Sequence, residues 1–162
     1  DGTLVPSVEV YDPATDTWSQ GGEMPAPRGA GFSSAVDGKI YVIGGYGGFD
    51  ALHEYDPAKD TWTERTPMPM WRNAHCTSAL DGRIFVIGGY GGTTGYQGLT
   101  AVDVYDPASD TWTTAPDLPT GRFGPRSCVV DGRMYVIGGM SHWIDTALGV
   151  TEVYEGTWER GR

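Results

Sequence analysis

The sequence predicts an all-β fold built from propeller blades, and three observations carry that expectation. Tyr-Asp-Pro recurs at Tyr11-Asp12-Pro13, Tyr55-Asp56-Pro57 and Tyr105-Asp106-Pro107, with a worn copy at Val153-Tyr154-Glu155, and each copy is followed by a tryptophan: Trp18, Trp62, Trp112 and Trp158. Asp-Gly recurs at Asp37-Gly38, Asp81-Gly82 and Asp131-Gly132, and each opens an apolar run ending in paired glycines: Ile40 to Gly45, Ile84 to Gly89 and Met134 to Gly139. The tyrosine-to-tyrosine steps are 44, 50 and 49 residues. A period of that length, filled only with strand-like segments, reads as propeller blades.

The elements follow from local chemistry. Ser7 to Tyr11 reads as a strand, and Asp12-Pro13-Ala14-Thr15-Asp16 places Asp and Pro where a turn wants them. Thr17-Trp18-Ser19 is the short strand that follows. Gly29 to Val36 is a short strand rich in small residues, and Asp37-Gly38 is a hairpin turn signal. Lys39 to Gly45 returns from that turn. Its Ile40, Tyr41, Val42 and Ile43 do not alternate with polar residues, which fits a strand buried on both faces between neighbouring sheets. Pro25, Pro27, Pro67, Pro69, Pro116, Pro119 and Pro125 interrupt every stretch that could host a helix.

Composition narrows the class. Of 162 residues, 25 are Gly and 11 Pro, but 12% are aromatic, which separates the chain from a disordered polymer. The net charge of −10 argues against a nucleic-acid or anionic-membrane binder, which needs a basic footprint. No apolar run approaches the roughly 18 residues of a membrane helix. Two cysteines, Cys76 and Cys128, are too few for a disulfide framework, and both are expected as buried small hydrophobes on first strands. The first residue is Asp1 and no secretory leader is visible, so the chain is expected to be processed or part of something longer, with its compartment unreadable.

The double glycines (Gly44-Gly45, Gly88-Gly89, Gly138-Gly139), the tyrosines Tyr11, Tyr55 and Tyr105, and the tryptophans Trp18, Trp62 and Trp112 together resemble the kelch-repeat family over residues 4 to about 160. The resemblance implies blades of four antiparallel strands, with the double glycine on the second strand and the Tyr and Trp on the third and fourth, packing over the glycines. Independently, a strand lacking side chains at two positions lets a ring or a neighbouring sheet approach its backbone. In that register residues 29–64, 73–115 and 123–160 are complete blades, and 4–20 are the last two strands of a preceding one. Kelch-like propellers usually have six or seven blades, so three and a half cannot close a ring. The open ends would expose apolar faces larger than a monomer normally tolerates. The expected partner is therefore a second copy or the missing half of the chain.

Strand order sorts the loops onto two rims. One carries Arg28, Arg72 and Arg122, each nine residues before its Asp-Gly, with Trp71, Asn73 and Phe123. The loops between second and third strands lie on the same rim and vary in length, bringing Phe49, Tyr96, Gln97, His142 and Trp143. Variable loops on a regular repeat, rich in Arg, Trp and Tyr, mark a binding face. The candidates are Arg28, Trp71, Arg72, Asn73, Tyr96, Arg122, Phe123, His142 and Trp143. A competing role for the three arginines is to hydrogen-bond carbonyls between blades. The opposite rim carries the Asp-rich turns, whose carboxylates are expected to cap backbone amides.

Catalytic and cofactor motifs are absent from the sequence. His53, His75 and His142 show no ligand spacing, and G-x-S-x-G, Walker and HExxH patterns are missing. No cofactor or metal is expected. The reading is a non-enzymatic binding or scaffold module for a protein, peptide or glycan, an acidic ligand among them, with no nucleic-acid or membrane partner. The resemblance leaves one alternative, a kelch-fold enzyme acting on sugars, of the sialate mutarotase or copper radical oxidase kind, with Arg, Glu and His converging on a deep central pocket.

Overall fold

The computed structural model describes residues 4–29, 31–92, 95–142 and 147–160. Among these residues there are sixteen strands and no helix. β1 (Val8–Asp12) and β2 (Thr17–Gly21) form a two-stranded sheet. The first complete blade is β3 (Phe32–Val36), β4 (Lys39–Ile43), β5 (Leu52–Asp56) and β6 (Thr61–Arg65), hydrogen-bonded in that order. β7 (Arg72–Asn73) and β10 (Tyr90–Gly91) pair as a short ribbon. The second blade is β8 (Cys76–Leu80), β9 (Arg83–Ile87), β11 (Val102–Asp106) and β12 (Thr111–Ala115). The third is β13 (Arg126–Val130), β14 (Arg133–Ile137), β15 (Thr151–Tyr154) and β16 (Trp158–Arg160). Every pairing is antiparallel.

Each first strand turns into the second through Asp-Gly with both residues at positive φ, as at Asp81 (51°) and Gly82 (72°), the mirror-image turn that matches strand twist. First strands lie side by side, β8 between β3 and β13. Small hydroxyl residues make that approach possible. Ser34 Oγ donates to Thr77 Oγ1 (2.9 Å), and Ser78 Oγ to Ser127 Oγ (2.8 Å).

The core lies between blades. Tyr41, Ile43 and Leu52 of the first blade meet Ile84, Val86 and Tyr105 of the second. Phe85, Ile87, Val102 and Val104 meet Met134 and Val136 of the third. β9 is thus buried on both faces, as its unbroken apolar run predicts. Among the described residues the third blade is covered on one side only, and the outer side of the first is only partly covered, by β1 and β2. Ile87 is fully buried, whereas its third-blade counterpart Ile137 is 48% exposed.

The Tyr-Asp-Trp residues join one blade to the next. Tyr55 OH donates to Asp60 (2.6 Å), which also accepts from the Gly22 amide (2.5 Å), while Trp62 Nε1 donates to the Gly22 carbonyl (2.8 Å). The second blade repeats this through Tyr105, Asp110, Trp112 and Thr66, and Trp158 reaches back to Pro116. The first Asp of each turn caps locally: Asp12, Asp56 and Asp106 accept from Ala14, Ala58 and Ala108. Asp60 and Asp110 are inter-blade ties instead.

Two expectations are corrected. The Tyr and Trp rings stack on each other (Tyr55–Trp62, 4.8 Å) near the Asp-Pro turn, since Tyr55 faces Ile40 across the ladder at the far end from Gly44. The groups nearest the second glycines are backbone atoms of the loop entering the blade, such as Asn73 O at Gly89. Cys76 is buried as expected, and apolar surroundings push its thiol up to about 11. Cys128 is exposed, because it lies on β13 of the end blade.

Candidate functional site

The rim is built by pairing each entry loop with the loop after the double glycine. Gly29 bridges Tyr46, β7 pairs β10, and Phe123 bridges Met140. Entry loops and loops between second and third strands therefore share one rim.

The three arginines lie beneath that rim with their side chains turned inward. Arg28 is 8% exposed, Arg72 1% and Arg122 0%. Arg72 Nη1 donates to the carbonyls of Gly88 (3.3 Å) and Ala101 (3.1 Å), which flank the loop between β9 and β11, and Nη2 pairs with Asp103. Arg122 does the same with Gly138 (2.9 Å) and Val150 (3.1 Å), and its Nη2 sits 2.8 Å from Glu152 Oε2. Arg28 bonds Gly44 (3.3 Å) and Ala51 (2.9 Å), and its third partner is His53 Nδ1. The arginines do bind carbonyls, as the competing reading has it, but these side-chain bonds lie within each blade rather than between blades. The backbone makes the inter-blade link: the Arg122 amide donates to Leu99 O (3.1 Å). Burial opposes the charge on each guanidinium, and Asp103 and Glu152 oppose that effect at Arg72 and Arg122. His53 is held below the usual imidazole range by burial and then by Arg28.

The three side-chain partners His53, Asp103 and Glu152 were missed in the sequence. The signal was present, because each stands two residues before the repeat tyrosine (Tyr55, Tyr105, Tyr154). Phe123 is 2% exposed and Asn73 9%, with Asn73 Oδ1 accepting from the Ala74 amide (2.8 Å). His75 is fully buried and pushed down to about 3 by burial and then by Arg72.

The exposed part of the rim is aromatic. Tyr46 is 61% exposed, Phe49 45%, Trp71 41% and Tyr96 60%. Tyr46 and Phe49 meet edge-on at 6.1 Å, as do Phe49 and Trp71 at 5.9 Å, and Tyr90 meets Tyr96 at 5.5 Å. One hollow of about 360 Å³ is lined by Tyr46, Phe49, Trp71, Asn73, Tyr90 and Tyr96. A second, of about 410 Å³, is lined by Phe49, Asp50 and Trp71. Phe49 and Ala74 hold positive φ (26° and 49°), a strain that non-glycine residues carry where surrounding structure imposes it. Trp71, Asn73 and Tyr96 are thus brought together. His142 lies in a separate polar hollow with Gln97, Thr100 and Ser141. Trp143 lies outside the described residues. Among the described residues, no group of three His, Cys, Asp or Glu side chains could hold a metal ion.

Comparison with known proteins agrees with the repeat reading. Residues 1–161 match the KLHDC2/KLHL20/DRC7 Kelch-repeats domain. An F-box/kelch-repeat protein of Arabidopsis thaliana is 47% identical over 49 residues, 30% of this chain and 13% of that protein. Kelch repeat and BTB domain-containing protein 12 of Homo sapiens is 44% identical over 48 residues, 26% of this chain and 8% of that protein. The solved structure of YjhT superposes with a TM-score of 0.82 at 17% identity, covering 98% of this chain and 65% of that one. The chain therefore spans only part of the length of each of these proteins.

Proposed function

The chain belongs to the Kelch-repeats family, and we propose that it works as a binding module whose loop rim holds a protein or peptide partner. The contiguous exposed aromatic surface of Tyr46, Phe49, Trp71 and Tyr96 supports this most directly. Large rings that give contact area at little entropic cost are the usual anchors of an interface. Trp71 and Tyr96 are the contact residues in this reading, and Arg28, Arg72 and Arg122 fix the backbone that presents them. The alternative of a sugar-modifying enzyme needs Arg, Glu and His facing one open pocket. Here each arginine is turned into its own blade against His53, Asp103 or Glu152.

Peptide selection on the full chain tests the rim. Peptides enriched on the wild type are expected to lose about tenfold or more in affinity when Trp71→Ala and Tyr96→Ala are combined. Thermal melting should be little changed, because both side chains are substantially exposed. Selected peptides that bind the double variant undiminished would move the site elsewhere.

We further propose that more propeller strands, from a second copy or from the other half of a longer chain, complete the ring. Two faces support this. On one side, among the described residues, β1 and β2 have no first and second strands beside them, leaving a cleft of about 370 Å³ bordered by Val8, Ile40, Val42, Tyr55 and Trp62. On the other, Val130 (52% exposed) and Ile137 (48%) face outward with Cys128.

A further inference from the structure

Resting on the proposed role of the rim, we propose that the aromatic hollow takes a basic peptide segment, with an arginine or lysine side chain laid against Trp71 and Phe49 beside Asp50. The ring faces supply one half of the argument. A guanidinium or ammonium group over a tryptophan or phenylalanine face is attracted by the ring quadrupole, most strongly at tryptophan. The charge distribution supplies the other half. The hollow at Phe49 and Trp71 has Asp50 as its charged wall, and among the described residues neither aromatic hollow is lined by a cationic side chain. Arg28 lies within Coulombic reach of Asp50, but it is buried and turned onto the carbonyls of Gly44 and Ala51. The arginines that would have served an acidic ligand are committed to the blades, so the surface that remains is aromatic and anionic. A net charge of −10 adds a field that favours approach of a basic segment.

Isothermal calorimetry on the full chain, with blocked Gly-Arg-Gly-Arg-Gly and Gly-Glu-Gly-Glu-Gly peptides, tests this. Saturable binding of the arginine peptide is expected, with no heat from the glutamate peptide. Asp50→Asn should weaken binding severalfold. Trp71→Leu, which leaves every charge in place, should weaken it about tenfold or more. Arginine-peptide binding that survives Trp71→Leu would be diffuse attraction to an acidic protein and would overturn the proposal. Glutamate-peptide binding that Trp71→Leu abolishes would keep the rim as the site and overturn the cation. No binding of the arginine peptide at millimolar concentration would overturn the cation as well, leaving the rim to be decided by the peptide selection.

Discussion

His53 is the odd member of the three side chains that hold the rim arginines. Asp103 and Glu152 give Arg72 and Arg122 a carboxylate, whereas Arg28 faces an imidazole held neutral by burial and by Arg28 itself. A buried guanidinium with no carboxylate in direct contact keeps more of its desolvation cost, so His53→Asp should stabilise the fold by about 1–2 kcal/mol, several degrees in Tm. The pH dependence follows from the same residue. A histidine whose folded pKa lies below its unfolded value contributes stability that is present above about pH 6.5 and is lost as pH falls toward the folded value. His75, pushed down to about 3, acts in the same direction. Melting curves from pH 7 to pH 4 should show the wild type losing stability, with a shallower histidine-linked loss in His53→Asp. An unchanged Tm at pH 7 would show that Arg28 needs no carboxylate. These partners were hard to see in the sequence because three different residue types fill one position. An arginine spaced nine residues before a turn shows the repeat, but not whether its side chain faces in or out.

At the scale of the element, the legible features were those imposed by the backbone. Asp-Gly turns, the unbroken apolar run of the second strand and the double glycines each follow from local sterics, and the strands fall where those features put them. The contacts of the second glycines were not legible, because they are made with the loop entering the blade. A Cβ on Gly89 would sit 2.7 Å from Asn73 O and 3.0 Å from His75 Cβ, at φ +92°. At Gly82 nothing lies within 4 Å, and only φ +72° opposes a side chain. Gly82→Ala should therefore cost about 1–2 kcal/mol, the left-handed penalty alone. Gly89→Ala should cost clearly more, because Asn73 belongs to the β7–β10 ribbon and cannot move without opening the rim. Urea unfolding of the two variants separates them, and equal losses would mean that the entry loop yields freely. Gly89→Ala should also weaken rim binding, since that ribbon carries Asn73 beside Trp71 and Tyr90 beside Tyr96.

For the whole molecule, the burial of one strand position in successive blades carries the argument. Ile43 and Ile87 are fully buried, each covered by the blade that follows, and Ile137 is 48% exposed because among the described residues no blade follows. At the opposite side, Trp18 is 68% exposed, whereas Trp62 and Trp112 are fastened to Gly22 and Thr66 of the preceding unit. The two sides are those a continuing propeller would cover, and each half-exposed Val or Ile would return about 1 kcal/mol on being covered. The proposed second copy would meet that need at high enough concentration. Sedimentation equilibrium on the full chain should then show reversible self-association at micromolar concentration. Ile137→Lys, on the exposed face of β14, should shift the protein toward monomer without lowering the stability of the monomer itself. Tyr96→Ala, on the rim, should leave the association unchanged, which separates the ring-closing faces from the binding face. A compact monomer at all concentrations would remove the second copy as the closing partner and leave strands of a longer chain to cover the cleft beside Ile40 and Val42.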